Sequence, residues 1–419
     1  MKTPSFLAID FYCGAGGTTR GLIDAGGYVI CGIDNDESNR DTYIQNNANR
    51  TIDKRPPRFL NLDMLPQSED YPHGQQSKAR KQIEHILRPF RVRFPSVPVL
   101  FAICAPCQSF TRFSQPKLSE ARSASRSRDL NLLGCTTSII EDQQPDMIMS
   151  ENVASIRTGR YRHVWDDYKS DLDRLGYVVG ESQVCASDFG VPQYRKRSIM
   201  LAHRRGNGEA QDLDSAIPCR DPASMPVTVS NAIGHLPSIE AGMRHPSVAN
   251  HECSGMTDIN RRRLMSLPPG GSNSELGSTI FGKISLPCHE RLAARGKQGF
   301  DDVYTRMHPH RPSPTLTTRF YSLSNGRYGH YDQLQVRALS LREGAALQSF
   351  KDDYVFHGSS ISSIARMIGN AVPPRLAQYF ATWLRTRWEA ADLATDAIPV
   401  QSRAAKDEAR LIGTRVGPP

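Results

Sequence analysis

No apolar run in this 419-residue sequence approaches the roughly 20 residues that cross a bilayer, so no membrane contact is expected. No internal repeat is visible, which argues against solenoids and propellers. The nine cysteines are odd in number and scattered, without a secretory context, and they do not form a disulfide framework. Cys104 and Cys107 make a CxxC, which raises zinc or thioredoxin-like chemistry, but no second CxxC completes a zinc set. Nothing resembling a signal peptide precedes the first apolar strand, so a soluble, cytoplasmic protein is expected. Lysine is sparse beside arginine. The formal net charge is +9, and arginine suits phosphate forks and guanine edges. Charge alone leaves open both a nucleic-acid partner and a merely basic protein.

Short apolar runs alternate with helical patterns in the first half, the mark of an α/β fold with a parallel sheet. Phe6 to Ile9 and Tyr28 to Ile33 read as strands, separated by the glycine loop Gly14-Ala15-Gly16-Gly17 and a helix. Val99 to Ile103 and Met147 to Met149 read as further strands. Lys78 to Leu87, Leu130 to Gln143 and Val164 to Leu175 read as helices. From Arg204 to about Arg311 the chain becomes rich in Gly, Pro, Ser and Arg with weak periodicity, as in an irregular second domain carrying function on loops. Structure returns after Arg311, a helix closes near Trp388, and the Ala-rich, charged remainder reads as a mobile tail.

Three polar clusters adjoin strand-like runs. The first is Pro106-Cys107-Gln108, after Val99 to Ile103, which delivers a thiol to the end of a strand. A single cysteine is more often structural. An unperturbed thiol, with a pKa of about 8.5, is only a few per cent ionised near neutrality, a deficit of about 1.4 to 2 kcal/mol. The larger barrier therefore lies in the electrophile. Glu151, in Glu151-Asn152-Val153, can engage a ring nitrogen and withdraw electron density, although a capping or surface glutamate fits the same pattern. Arg195 and Arg197 alternate on a strand and so share a face, where they can hold a base oxygen and the Glu151 carboxylate; a solvated strand face is the plainer reading. The glycine loop lets backbone approach a ligand, and Asp34 is placed for ribose hydroxyls, a layout shared with dinucleotide sites.

Taken in order, these clusters resemble the cytosine-C5 DNA methyltransferases of the bacterial modification type, from Leu7 to about Ala377. Asp10-Phe11-Tyr12-Cys13-Gly14-Ala15-Gly16-Gly17 is similar to the family's S-adenosyl-L-methionine loop, with Asp34 its ribose acid and Asp63 its adenine-side acid. Pro106-Cys107-Gln108, Glu151-Asn152-Val153 and Gln193-Tyr194-Arg195-Lys196-Arg197 correspond to the nucleophile, glutamate and paired-arginine motifs. Arg337 to Glu343 with Leu347 to Phe350, and then Gly369-Asn370-Ala371-Val372-Pro373-Pro374, resemble its last two blocks. Tyr12 stands where Phe is usual, Cys104 where Gly is frequent, Thr111 where Ser is frequent, and Arg128 to Leu133 matches an Arg-Asn-x-Leu stretch only loosely.

The resemblance implies a Rossmann-like methyltransferase sheet with a smaller, irregular target-recognition domain. It divides the chain into a cofactor-binding catalytic domain (1–203), a target-recognition domain (204–330), a segment returning to the catalytic domain (331–388) and a tail (389–419). Catalytic roles fall to Cys107, Gln108, Glu151, Arg195 and Arg197. Cofactor contacts fall to Tyr12, Gly14, Gly16, Gly17, Asp34, Asp63, Pro106, Asn370 and Val372, with no metal. The implied reaction methylates C5 of a cytosine flipped from double-stranded DNA, through a covalent bond between Cys107 and C6. The loop from Gln108 to Arg128 would close over the base, with Arg112, Arg122 and Arg126 meeting phosphates. Arg261, Arg262, Arg263, Arg291, Arg295, Arg306, Arg319, Tyr321 and Arg327 are candidate DNA contacts. A monomer is expected, with a cognate restriction endonuclease acting separately. A tRNA-methylating relative, an inactive DNA-binding relative and a nicotinamide-dependent oxidoreductase are the alternatives; the last leaves the Pro-Cys-Gln and paired-arginine clusters without a task.

Overall fold

The computed structural model describes residues 3–106, 128–205, 213, 216–276, 278–279, 282–296 and 303–396. The leading half builds strands β1 (Leu7–Phe11), β2 (Tyr28–Asp34), β3 (Arg58–Asn61), β4 (Val99–Ile103), β5 (Met147–Val153) and β6 (Tyr177–Cys185). Two more follow, the short β7 (Gln193–Tyr194) and β8 (Lys196–Arg204). Seven of them form one sheet in the order β3-β2-β1-β4-β5-β8-β6. Pairings from β3 through β5 are parallel, and β8 runs antiparallel to both β5 and β6. The order reverses between β1 and β4, so the crevice beyond their carboxyl ends is the expected ligand site of an open α/β sheet.

Alternation explains why β1 is buried on both faces. Leu7, Ile9 and Phe11 point into one core, and Phe6 and Ala8 into another. The first core is covered by helices α3 (Gln76–Arg93), α4 (Thr137–Gln143) and α5 (Arg162–Arg174), and the second by α1 (Gly17–Asp24) and the final long helix. Between β2 and β3 lies α2 (Arg40–Asn46). The helix expected over Lys78 to Leu87 extends to Arg93 and carries Pro89 within it. Leu130 to Gln143 is not one helix: a turn and the 3-10 segment Gly134–Thr136 intervene before α4, with glycine, a poor helix former, at the break.

Past Arg204 regular structure is sparse. It comprises α6 (Val229–Ile233), α7 (Asp258–Met265), α8 (Pro287–Ala293) and two-residue strands, one of which, β11 (Ser313–Pro314), pairs with β7; β9 (Ser278–Thr279) and β10 (Gly282–Lys283) pair with each other. A third core then joins α9 (Leu341–Leu347) and α10 (Ile361–Asn370) to Val229, Ile233 and Ala15 of the glycine loop. The last helix, α11 (Pro374–Asp396), packs along α1. It runs on past Glu389, where the sequence suggested a tail, because the alanine-rich stretch that is too weakly apolar for a core is still a good helix former. The rest of that tail lies outside the described residues. No described helix is long and apolar enough to cross a membrane.

Candidate active site

The carboxyl ends of β1, β2 and β4 frame a cavity of about 260 Å³ lined by the glycine loop, Asp34, Cys104 to Pro106, Glu151, Arg195, Arg197 and residues from Arg366 to Val372. A second cavity of about 310 Å³ adjoins it, sharing Tyr12, Asp34, Asn35 and Pro106 and adding Asp63, Arg128 and Leu132. Of the expected catalytic and cofactor-binding residues, all those described line one or both cavities except Gly16. Cys107 and Gln108 lie outside the described residues, as do Thr111, Arg112, Arg122 and Arg126.

The glycine loop is shaped by left-handed backbone at Tyr12 (φ 59°), Gly14 (φ 51°) and Gly16 (φ 92°). A side chain at Gly14 would meet nothing within 4 Å, so that edge of the loop faces open cavity. Gly16 instead turns inward, where a Cβ would lie 2.3 Å from Asn47 Nδ2. Gly17 abuts the last motif, because a Cβ there would lie 2.4 Å from the Val372 carbonyl oxygen. Tyr354, a residue no motif singled out, donates its hydroxyl to the Ala15 carbonyl and accepts from Asn47 Nδ2 at 2.9 Å. Tyr12 uses the hydroxyl that phenylalanine lacks to donate to the Leu132 carbonyl at 2.6 Å.

Asp34 is set before any ligand arrives. Its Oδ2 accepts from Gly14 N–H at 2.9 Å, and Oδ1 from Asp36 N–H at 2.8 Å and Asn39 Nδ2 at 3.3 Å. Burial raises its pKa, opposed by those same N–H donors. Asp36 Oδ2 pairs with Arg366 Nη2 at 3.2 Å, joining the loop after β2 to α10 across the cavity mouth. Sequence reading missed this pair, which links positions 330 residues apart. Beneath the loop, Asp10 is fully buried, accepts from Thr19 Oγ1 at 2.6 Å through Oδ2 and is pushed up to about 7 by desolvation.

Glu151 and Arg197 meet through strand register. Val153 of β5 faces Arg197 of β8, which makes Glu151 its diagonal neighbour on the same face. Arg197 Nε lies 2.6 Å from Glu151 Oε1, with both side chains about nine-tenths buried. Asn152 turns the other way and donates its amide to the Ala105 carbonyl at 3.3 Å, fixing the strand end that leads into Pro106. The Arg195 guanidinium, between β7 and β8, donates to the carbonyls of Leu316 at 3.3 Å, Gly369 at 3.2 Å and Ala371 at 3.3 Å, tying this part of the sheet to later segments of the chain. Burial first, and then the Glu151 and Asp10 carboxylates, push the Cys104 thiol well above its usual range, so this member of the CxxC stays protonated near neutrality.

Two expected DNA contacts are corrected by burial. Arg306 is 2% exposed and donates to four backbone carbonyls, those of Leu264, Leu267, His330 and Asp332. Arg263 is buried as well, bonded to the carbonyls of Ile284 and Ser285 and stacked over Tyr304. An irregular segment has carbonyls that no ladder satisfies, and these guanidinium groups satisfy them. Arg261, Arg262, Arg291, Arg295, Arg319 and Arg327 are exposed, and Tyr321 is half-buried.

Comparison with known proteins agrees with this geometry. A family model described as C-5 cytosine-specific DNA methylase matches residues 73–385. Type II methylase M.HgiDII of Herpetosiphon aurantiacus is 31% identical over 376 residues, covering 89% of this chain and 93% of the relative. Type II methyltransferase M1.HphI of Haemophilus parahaemolyticus is 28% identical over 378 residues, covering 90% and 86%. Among solved structures, a candidate DNA modification methyltransferase encoded within an E. coli prophage superposes with a TM-score of 0.59 at 18% identity, covering 91% of this chain and 99% of that one. At that identity the superposition speaks for the Rossmann-like fold, while the sequence matches run through both the strand-end motifs and the returning segment: the chain belongs to the C-5 cytosine-specific DNA methylases.

Proposed function

We propose that this protein transfers a methyl group from S-adenosylmethionine to C5 of a cytosine flipped out of a specific duplex DNA sequence, through a covalent bond between Cys107 and C6. The observation that carries the proposal is the buried Glu151–Arg197 pair, set on the wall of the cavity that Pro106 also lines. A target base has to leave the stack for a thiol to reach C6. Glu151, oriented by Arg197, engages N3 and the exocyclic amine and withdraws electrons from the ring. Cys107 adds to C6 as a thiolate, which gives C5 carbanion character; once C5 carries the transferred methyl group, loss of its proton re-forms the C5–C6 double bond and expels the thiolate.

The two adjoining cavities suit an elongated nucleoside sulfonium. Asp34, already fixed by three N–H donors, faces the ribose position, and Asp63 lies in the further cavity for the adenine amine. Gly14 leaves room for close approach, while Asn370 and Val372 close the opposite wall. When bound, the cofactor supplies the electrophilic methyl group. The exposed arginines of the irregular segment are assigned to duplex DNA, and the Type II names of the relatives extend the proposal to a separately acting endonuclease.

The test is a trap. Sequencing of methylated cytosines in DNA from cells expressing the protein defines its site, and a duplex of that sequence carrying 5-fluorocytosine is then incubated with enzyme and S-adenosylmethionine. The wild type should form a denaturation-resistant adduct by mass spectrometry, and Cys107→Ser should bind the duplex without an adduct or turnover. Methylation by Cys107→Ser above a trace would overturn covalent catalysis.

A further inference from the structure

Asp63 is held more firmly than a lone cofactor contact requires. Its carbonyl accepts from Gln75 N–H at 2.9 Å, and its own N–H donates to Gln75 Oε1 at 3.2 Å. Carboxylate Oδ1 accepts from Leu65 N–H at 3.2 Å, while Oδ2 pairs with Arg128 Nη2. Arg128, from a separate stretch of the chain, lines the same 310 Å³ cavity beside it. The segment that carries it is moored at three points: Tyr12 Oη to the Leu132 carbonyl at 2.6 Å, Asn131 Nδ2 to Tyr71 Oη at 3.2 Å, and Gln76 Nε2 to the Cys135 carbonyl at 2.6 Å. Side-chain exposures of 15% for Asp63 and 36% for Arg128 leave both groups partly open.

A carboxylate only accepts hydrogen bonds, and a guanidinium only donates them. Side by side on one wall, they present an acceptor next to a donor. Adenine's amidine edge is the complement: an exocyclic amine that donates beside a ring nitrogen that accepts. A 6-oxo purine presents an oxygen to the carboxylate and is repelled. We infer that Asp63 and Arg128 together read this edge of the cofactor's adenine, which makes Arg128 a specificity-determining residue. The inference rests on the S-adenosylmethionine reading above. Asp63 alone would accept from any exposed amine; the guanidinium adds the second bond and holds the carboxylate in plane for the first.

The test measures binding of S-adenosylhomocysteine and its 1-deaza and 7-deaza analogues to the full chain by calorimetry. The wild type should bind one of the two analogues about tenfold or more weakly than the parent, as expected for loss of a charge-assisted bond. Arg128→Ala should bind the parent correspondingly weakly and be indifferent to that same deaza substitution; Arg128→Gln serves as a second variant, and ligand-free melting temperatures check that both fold. A merely structural Arg128 would lower affinity for parent and analogues alike and keep the discrimination. Equal wild-type affinity for all three ligands, or discrimination retained in both variants, would overturn the inference. No binding of S-adenosylhomocysteine by the wild type would instead remove the cofactor reading, and this one with it.

Discussion

Arg306→Ala separates a structural arginine from a DNA-binding one. The substitution deletes Nε to the Leu267 carbonyl at 3.0 Å, Nη1 to those of His330 and Asp332 at 2.6 and 2.7 Å, and Nη2 to that of Leu264 at 2.8 Å. Leu264 and Asp332 keep backbone donors, Leu267 N–H at 3.3 Å and Gln335 N–H at 3.2 Å. The loss therefore falls on His330 and on Leu267, which retains only the Gln333 amide at 3.5 Å. One buried carbonyl orphaned and another left with a single long bond, at about 1–3 kcal/mol each, plus the vacated volume, give about 3–5 kcal/mol of destabilisation. Burial lowers the Arg306 pKa to about 10, so the group is still a cation near neutrality, and a lysine, with three donors on one point, should recover only part of the loss. Thermal melting should fall by about three to six degrees. By contrast, Arg261→Ala, at an exposed position, should melt like the wild type and, if it meets a phosphate, lower the slope of log affinity against log salt by about one. An Arg306→Ala protein that melts normally yet loses DNA binding would refute the reasoning.

Gly17→Ala forces a methyl group against the Val372 carbonyl, so the glycine loop and the last motif must part. The KM for S-adenosylmethionine should rise by about tenfold or more, whereas Gly134→Ala, where a Cβ meets nothing within 4 Å, should behave as wild type in initial-rate assays. Asp10 is an acid whose folded pKa, about 7, lies above the ordinary 3.8. Its contribution to stability is therefore fully present below about pH 4 and is lost as pH rises through about 7. Urea unfolding between pH 5 and pH 8.5 should show wild-type stability declining more steeply than that of Asp10→Asn, and parallel profiles would contradict the assignment.

What the sequence disclosed is what short-range periodicity encodes. The strands and the glycine loop follow from alternation and from turn chemistry a few residues long, although Arg195, expected on one strand with Arg197, falls in the break between β7 and β8. Glu151 and Arg197 are paired, and Arg195 also donates to the backbone carbonyls of Leu316, Gly369 and Ala371, partners that no local pattern names. The same holds for Arg128 with Asp63, Arg366 with Asp36, and Tyr354 with the Ala15 carbonyl. The irregular segment misled most: with no period to read, Arg263 and Arg306 looked like solvent-facing cations, while the fold needed donors for its unladdered carbonyls. Composition marked the chain beyond Glu389 as weakly apolar, yet helix propensity carried α11 to Asp396.

Gly17 lies against Val372, and the crevice beyond the strand ends is walled by residues as far apart in sequence as Tyr12 and Val372. During translation the first wall leaves the ribosome long before the last; at 5–20 residues per second the interval is roughly 20–70 s. A newborn chain thus has no complete crevice until the stretch from Arg366 to Val372 emerges, and a product terminated before it should be catalytically silent rather than partly active.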